Sequence, residues 1–164
     1  MVQVRVLGVA LDAAGQHIIL LKPLLEEPGE GRVLPIWIGA QEATSILLAI
    51  TGEQAPRPLT HDLMKTLLET VHVQVERVEV TRIEDGTFYA DITLATPSGP
   101  LVLDARPSDA VALAVRTGAR LFAADEMFVE AGIAAEVVEP HTEDEKIDEF
   151  KKFLEEVDPE DFQG

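Results

Sequence analysis

Apolar residues alternate with polar ones at the start of the chain and again in its middle, and helical spacing governs the stretches between. Val2, Val4 and Val6 alternate with Gln3 and Arg5, and Val9 follows, so a half-buried strand is predicted from Val2 to Leu11. Asp12-Ala13-Ala14-Gly15 supplies a tight turn, after which Gln16 to Leu21 returns as a second strand. A polar loop from Pro23 to Arg32 then leads to a third strand, Val33 to Ile38, which Gly39 stops. Pro35 cannot donate to a ladder and belongs at an edge, a bulge or near the strand start. Ile46, Leu47 and Ile50 set a helix over Ala40 to Thr51, with Gly52 as its stop.

After the rigid connector Ala55-Pro56-Arg57-Pro58, Thr60 is placed to cap a helix on which Leu63, Met64, Leu67, Leu68 and Val71 form one apolar stripe. Val73 to Glu84 alternates again, with a step of three residues that predicts a bulge near Glu76 and Arg77. Asp85-Gly86 turns it into Thr87 to Thr96, and Pro97-Ser98-Gly99 turns that into Leu101 to Ala105, an antiparallel meander. The last of these strands runs into a helix that opens on Arg106-Pro107-Ser108-Asp109, continues through Leu113 and stops at Gly118. Arg120 to Ala124 reads as an added edge strand, and Asp125 caps a brief helix through Met127 and Phe128 to Gly132. Thr142 and Glu145 form a capping box for a charged C-terminal helix striped by Ile147, Phe150, Phe153, Leu154 and Val157. The pattern predicts an α/β chain of the α+β type: a mixed, largely antiparallel sheet with a β-meander, three or four packed helices and a C-terminal amphipathic helix. Residues 1–135 form the expected domain and residues 136–164 an acidic helical tail.

The 164 residues suffice for one domain with a sizeable core. No apolar run is long enough to span a bilayer and the N-terminus lacks a secretory pattern, so the expected location is the cytoplasm, with no membrane contact. The absence of cysteine excludes disulfides and thiolate metal sites. Net charge is −17: residues 136–164 hold twelve acids against three bases, and the body without them is still −8. Such a chain repels a phosphate backbone unless metal ions or a local arginine cluster reverse the field, and 5% aromatic residues argue against a stacking platform.

No phosphate-binding glycine loop, dinucleotide fingerprint, HExxH or Gly-x-Ser-x-Gly occurs. Candidate chemistry comes instead from three expected helix starts, which carry Glu42, then Arg57, His61 and Asp62, then Arg106, Ser108 and Asp109. Amides and carboxylates at helix starts are ordinarily caps. If the three starts share one rim of the sheet, they form a polar cleft of carboxylates, an imidazole and guanidiniums. An imidazole in a first helical turn loses basicity to the positive helix end and can accept a proton. Carboxylates can hold magnesium or manganese through oxygen, and a metal-bound water with arginine support is one route to phosphodiester hydrolysis.

The segments LPIWIGAQEATSI (34–46), RPLTHDLM (57–64), DGTFYADITL (85–94) and DARPSDAVALAVRTGARLF (104–122) resemble the bifunctional nuclease family, over roughly residues 1–135 and with motifs in the same order. The resemblance implies a mixed α/β fold, a homo-oligomer, expected to be a dimer, and the ability to degrade both DNA and RNA. Matched to those motifs, His61, Asp62 and Asp109 are the candidate catalytic residues. Arg57, Arg106 and Ser108 are the candidate substrate binders, and Glu42, Asp62 and Asp109 the candidate ligands for Mg2+ or Mn2+; no organic cofactor is expected. The competing expectation is a non-catalytic oligomeric module that binds a small anionic ligand or a protein partner and uses the same residues as caps and salt bridges.

Overall fold

The structure, a computed structural model, describes residues 1–138, so the expected C-terminal helix lies outside the described residues. Eight strands form one mixed sheet: β1 Val2–Leu11, β2 His17–Pro23, β3 Arg32–Trp37, β4 Gln74–Glu84, β5 Thr87–Thr96, β6 Gly99–Ala105, β7 Arg120–Ala123 and β8 Ile133–Ala134. Their order across the sheet is β6-β5-β4-β7-β1-β2-β3-β8. Among the described residues four α-helices accompany it: α1 Ala40–Thr51, α2 Thr60–Thr70, α3 Pro107–Thr117 and α4 Asp125–Glu130. The β4-β5-β6 meander is antiparallel as expected, and the register shifts between Val75 and Arg77, where the alternation breaks. Pro35 pairs with Leu20 on one side, while β8 covers β3 only at Arg32 and Val33, so the missing amide faces the uncovered side.

β7 corrects one expectation. It is central rather than an edge strand, parallel to β4 and antiparallel to β1. After β6, α3 crosses back over the sheet and returns the chain beside β4, a connection that carries β7 past two strands. Leu121 and Ala123 are buried there, although a four-residue strand offers too little alternation to show it.

α3 packs against β4, β5 and β7 and against α1 and α2. Ala110, Val111, Ala112, Leu113 and Ala114 are all buried on it. The small alanines let the helix lie close to its neighbours, while Val111 and Leu113 supply the apolar area, on the order of 1.5–3 kcal/mol each. Gly118 ends it in the left-handed conformation (φ 71°), which glycine adopts without steric cost.

α2 departs from its pattern. Met64 and Leu68 pack against the core, but Leu63, Leu67 and Val71 are exposed, so the expected stripe is divided between protein and solvent. The one buried residue of this helix is His61. Its N-cap is Leu59 rather than Thr60: the Leu59 amide donates to the Asp62 carboxylate at 2.8 Å, and that contact replaces a threonine cap. The helix ends at Thr70, and His72 lies beyond it in a left-handed turn.

Candidate active site at three helix starts

The N-terminal halves of α1, α2 and α3 meet. Ser45 Oγ on α1 lies 2.6 Å from His61 Nδ1 on α2, and His61 Nε2 lies 2.9 Å from Asp109 Oδ1 on α3. Asp109 in turn accepts from Arg106: Nε donates to Oδ2 at 2.8 Å and Nη2 to Oδ1 at 3.1 Å. The same Nη2 donates to Glu42 Oε1 at 3.1 Å. Five side chains thus form one chain of contacts from the buried Ser45 to the open face of Arg106, whose side chain is 65% exposed.

The local sequence explains each position. Arg106 has extended backbone (φ −68°, ψ 140°) as the N-cap of α3, and Pro107 follows at the first helical position, where no amide is needed. Asp109, one turn in, meets the positive helix end and the guanidinium three residues before it. Glu42 occupies the first turn of α1 and folds back over Gly39, where a Cβ would collide with its carboxylate.

Hydrogen-bond chemistry sets the protonation pattern. An ionised carboxylate only accepts, so His61 Nε2 carries a proton toward Asp109, and the Ser45 hydroxyl, able to donate or accept, completes Nδ1. Burial by itself would raise the Asp109 carboxyl, but the hydrogen bonds from Arg106 and His61 outweigh it and hold the group below the usual carboxylate range. Contact with Asp109, then with Glu42, pushes Arg106 upward. Asp109 is therefore a carboxylate at neutral pH and a poor proton donor. His61 is 6% exposed with both ring nitrogens engaged, so it orients Asp109 and does not itself face solvent.

The expected residues do not all join this group. Asp62 belongs to a second pair, accepting from Arg116 Nε at 2.8 Å and from the Leu59 amide. Burial pushes the Asp62 carboxyl up, and these hydrogen bonds bring it below its ordinary value. Arg57 is exposed in the connector before α2. Ser108 is 5% exposed, and its hydroxyl has no hydrogen-bond partner among the described residues. Among the described residues no three His, Asp or Glu side chains are grouped to hold a metal ion. A cation at Glu42 and Asp109 would have to take over the contacts that Arg106 now makes.

A cleft of about 630 Å³ opens beside Arg106 and Ser108, with Gly39, Trp37, His17 and Phe88 among the residues that line it. Among the described residues none that lines it is acidic, in a chain of net charge −17. Ser45, Arg116 and Trp37 were absent from the expected site. The signal for Ser45 was a hydroxyl within the buried run Ala43-Thr44-Ser45-Ile46; for Arg116 it was a cation in the last turn of α3. Trp37 gave no signal beyond its place at the end of a strand.

A family model described as bifunctional nuclease domain matches residues 23–136. An uncharacterized protein of Mycobacterium tuberculosis is 34% identical over 99% of this chain and 98% of its own length. Bifunctional nuclease 1 of Arabidopsis thaliana is 31% identical over 64% of this chain and 32% of its own length. Bifunctional nuclease 2 of the same plant is 30% identical over 55% of this chain and 28% of its own length. The matched region contains every residue of the helix-start group and most of the cleft wall, and on that match the chain belongs to the bifunctional nuclease domain family.

Proposed function

We propose that the chain hydrolyses phosphodiester bonds in nucleic acid, with the scissile phosphate seated at the mouth of the cleft on Arg106 and Ser108. The observation that carries this reading is the way Arg106 is held. Its Nε and Nη2 are engaged by Asp109 and Glu42, which leaves the two N–H groups of Nη1 without a partner among the described residues. A guanidinium fixed on one edge and open on the other binds a phosphate oxygen without first having to be ordered. Ser108 offers an unpaired hydroxyl from the same helix start, and the peptide dipoles of α3 favour negative charge there.

In this role Arg106 and Ser108 neutralise charge as it builds on the phosphate oxygens, the step in which positioned donors contribute most. Asp109, kept ionised, accepts a hydrogen bond from the attacking water and aims it; as the water oxygen bonds to phosphorus its proton passes to solvent, the ester P–O bond breaks and the leaving oxygen takes a proton from solvent, while His61 and Ser45 hold the carboxylate in place. The expected Mg2+ or Mn2+ would compete with Arg106 for Glu42 and Asp109.

The test is hydrolysis of single- and double-stranded DNA and RNA with magnesium, with manganese and with EDTA, comparing wild type with Arg106→Ala and Asp109→Asn. Loss of one positioned donor lowers such rates about 100-fold. Activity that survives undiminished in both purified variants overturns the assignment.

A further inference from the structure

Trp37, the single tryptophan of the chain, stands at the rim of the cleft with 52% of its surface exposed. An indole this open, at the end of a strand whose preceding residue Ile36 is 1% exposed, contributes little to the core. Its orientation is nevertheless fixed. Nε1 donates to Asp12 Oδ2 at 2.9 Å, and the other oxygen of Asp12 is held by the amides of Ala14 and Gln16 at 2.9 and 2.8 Å. A ring anchored by its polar edge has lost its rotational freedom in advance, so little ordering cost remains when something packs on it. The same cleft is lined by Arg106, by Ser108, whose hydroxyl has no partner among the described residues, and by a second aromatic side chain, Phe88.

We propose that the cleft takes an unpaired nucleotide, with the base laid on Trp37 and the phosphate on Arg106 and Ser108, so that single-stranded nucleic acid is the substrate class of the site. The assignment rests on the nuclease reading and adds to it a specificity residue. In a duplex both faces of every internal base are covered by neighbouring bases, and a side chain finds no face to stack on. In a single strand, a loop or a frayed end the face is open, and stacking on an aromatic side chain is tolerant of base identity. A cleft of about 630 Å³ lies within the usual range for small-ligand sites, the size suited to one or two nucleotides rather than a groove that tracks a helix. The arrangement also meets the charge difficulty of the chain. Recognition through one stacked ring and one prepared phosphate seat needs no basic face, and among the described residues the lining contains no carboxylate to repel the ligand.

Because Trp37 is the sole tryptophan, its fluorescence reports on the cleft directly. The full chain in EDTA, where binding is read apart from any metal-dependent cutting, is titrated with oligo(dT) of about 15 nucleotides and with a blunt hairpin duplex of the same length. The expected result is saturable quenching by oligo(dT) and an affinity for the duplex at least about ten-fold weaker. Anisotropy of labelled oligo(dT) is expected to show about ten-fold weaker binding for Trp37→Leu and near-wild-type binding for Trp37→Phe, which keeps an aromatic face. Equal quenching by duplex, or wild-type affinity in Trp37→Leu, overturns the proposal. Hydrolysis is scored separately with magnesium or manganese. Quenching by oligo(dT) without any cutting removes the nuclease reading and leaves the cleft as a single-strand binding site, whereas cutting without quenching removes the role of Trp37 alone.

Discussion

α3 carries an arginine-aspartate pair at each end, and the two pairs use the same chemistry in opposite ways. At its last turn, Arg116 is 7% exposed and fully employed: Nε donates to Asp62, Nη1 to the Ala112 carbonyl at 3.0 Å and Nη2 to the Ser45 carbonyl at 3.0 Å. It ties α3 to the start of α2 and the middle of α1, and every nitrogen of its guanidinium points into the protein. At the N-cap, Arg106 is held on one edge by Asp109 and Glu42, and Nη1 has no partner among the described residues. A guanidinium has five donors in a rigid fork. When the protein uses all three nitrogens, the side chain is a clamp between helices; when it uses two, the third is open to the anion proposed above.

The contrast is sharpest in stability. Arg116→Ala removes three hydrogen bonds at a buried position and leaves the Asp62 carboxylate without its guanidinium, an expected cost of about 2 kcal/mol once the partial exposure of Asp62 is allowed for. Thermal unfolding is expected to shift down by roughly 4–8 °C for a chain of this size. A variant that melts with the wild type removes the clamp from the argument.

Asp62 and Asp109 both have carboxyls held below their ordinary value of 3.8, so near that value the unfolded state binds more protons than the folded one, and stability rises with pH. Their contribution is present above 3.8 and is lost as pH falls through the folded-state values. Urea unfolding between pH 6 and 3 is expected to show a shallower decline in the Asp62→Asn, Asp109→Asn double variant, measured relative to its own stability at pH 6, than in wild type. Parallel curves sink this attribution.

The smallest shift separates the two ends. Arg106→Ala at an exposed site is expected to change stability by less than about 1 kcal/mol, even as it removes the proposed phosphate seat. Should its melting temperature fall as far as that of Arg116→Ala, Arg106 is a second clamp and the functional contrast collapses.

Much of this was readable in the chain. The strand of alternating valines at the start, the helix that Gly52 stops, the meander with its bulge near Arg77 and the Pro107 start of α3 all depend on contacts a few residues apart, and sequence patterning records such contacts. The site was readable only as residue types. That Glu42, His61 and Asp109 sit near helix starts follows from local capping rules; that Asp62 turns to Arg116 while Asp109 turns to Arg106 does not. Both aspartates lie in first turns with similar neighbours, and only the packing of α2 across α1 and α3 distinguishes them.

The sequence by itself determined the periodicities, the stops and the stock of side chains at each helix start, because backbone sterics and capping act within one or two turns. Tertiary structure decided that β7 enters the middle of the sheet, that half the α2 stripe stays in solvent, and that Gln16, Trp37, Phe88 and Arg106, from four separate segments, line one cleft. Those outcomes rest on pairings tens of residues apart, whose energies come from burial and geometry shared among elements, and no stretch of the chain encodes them alone.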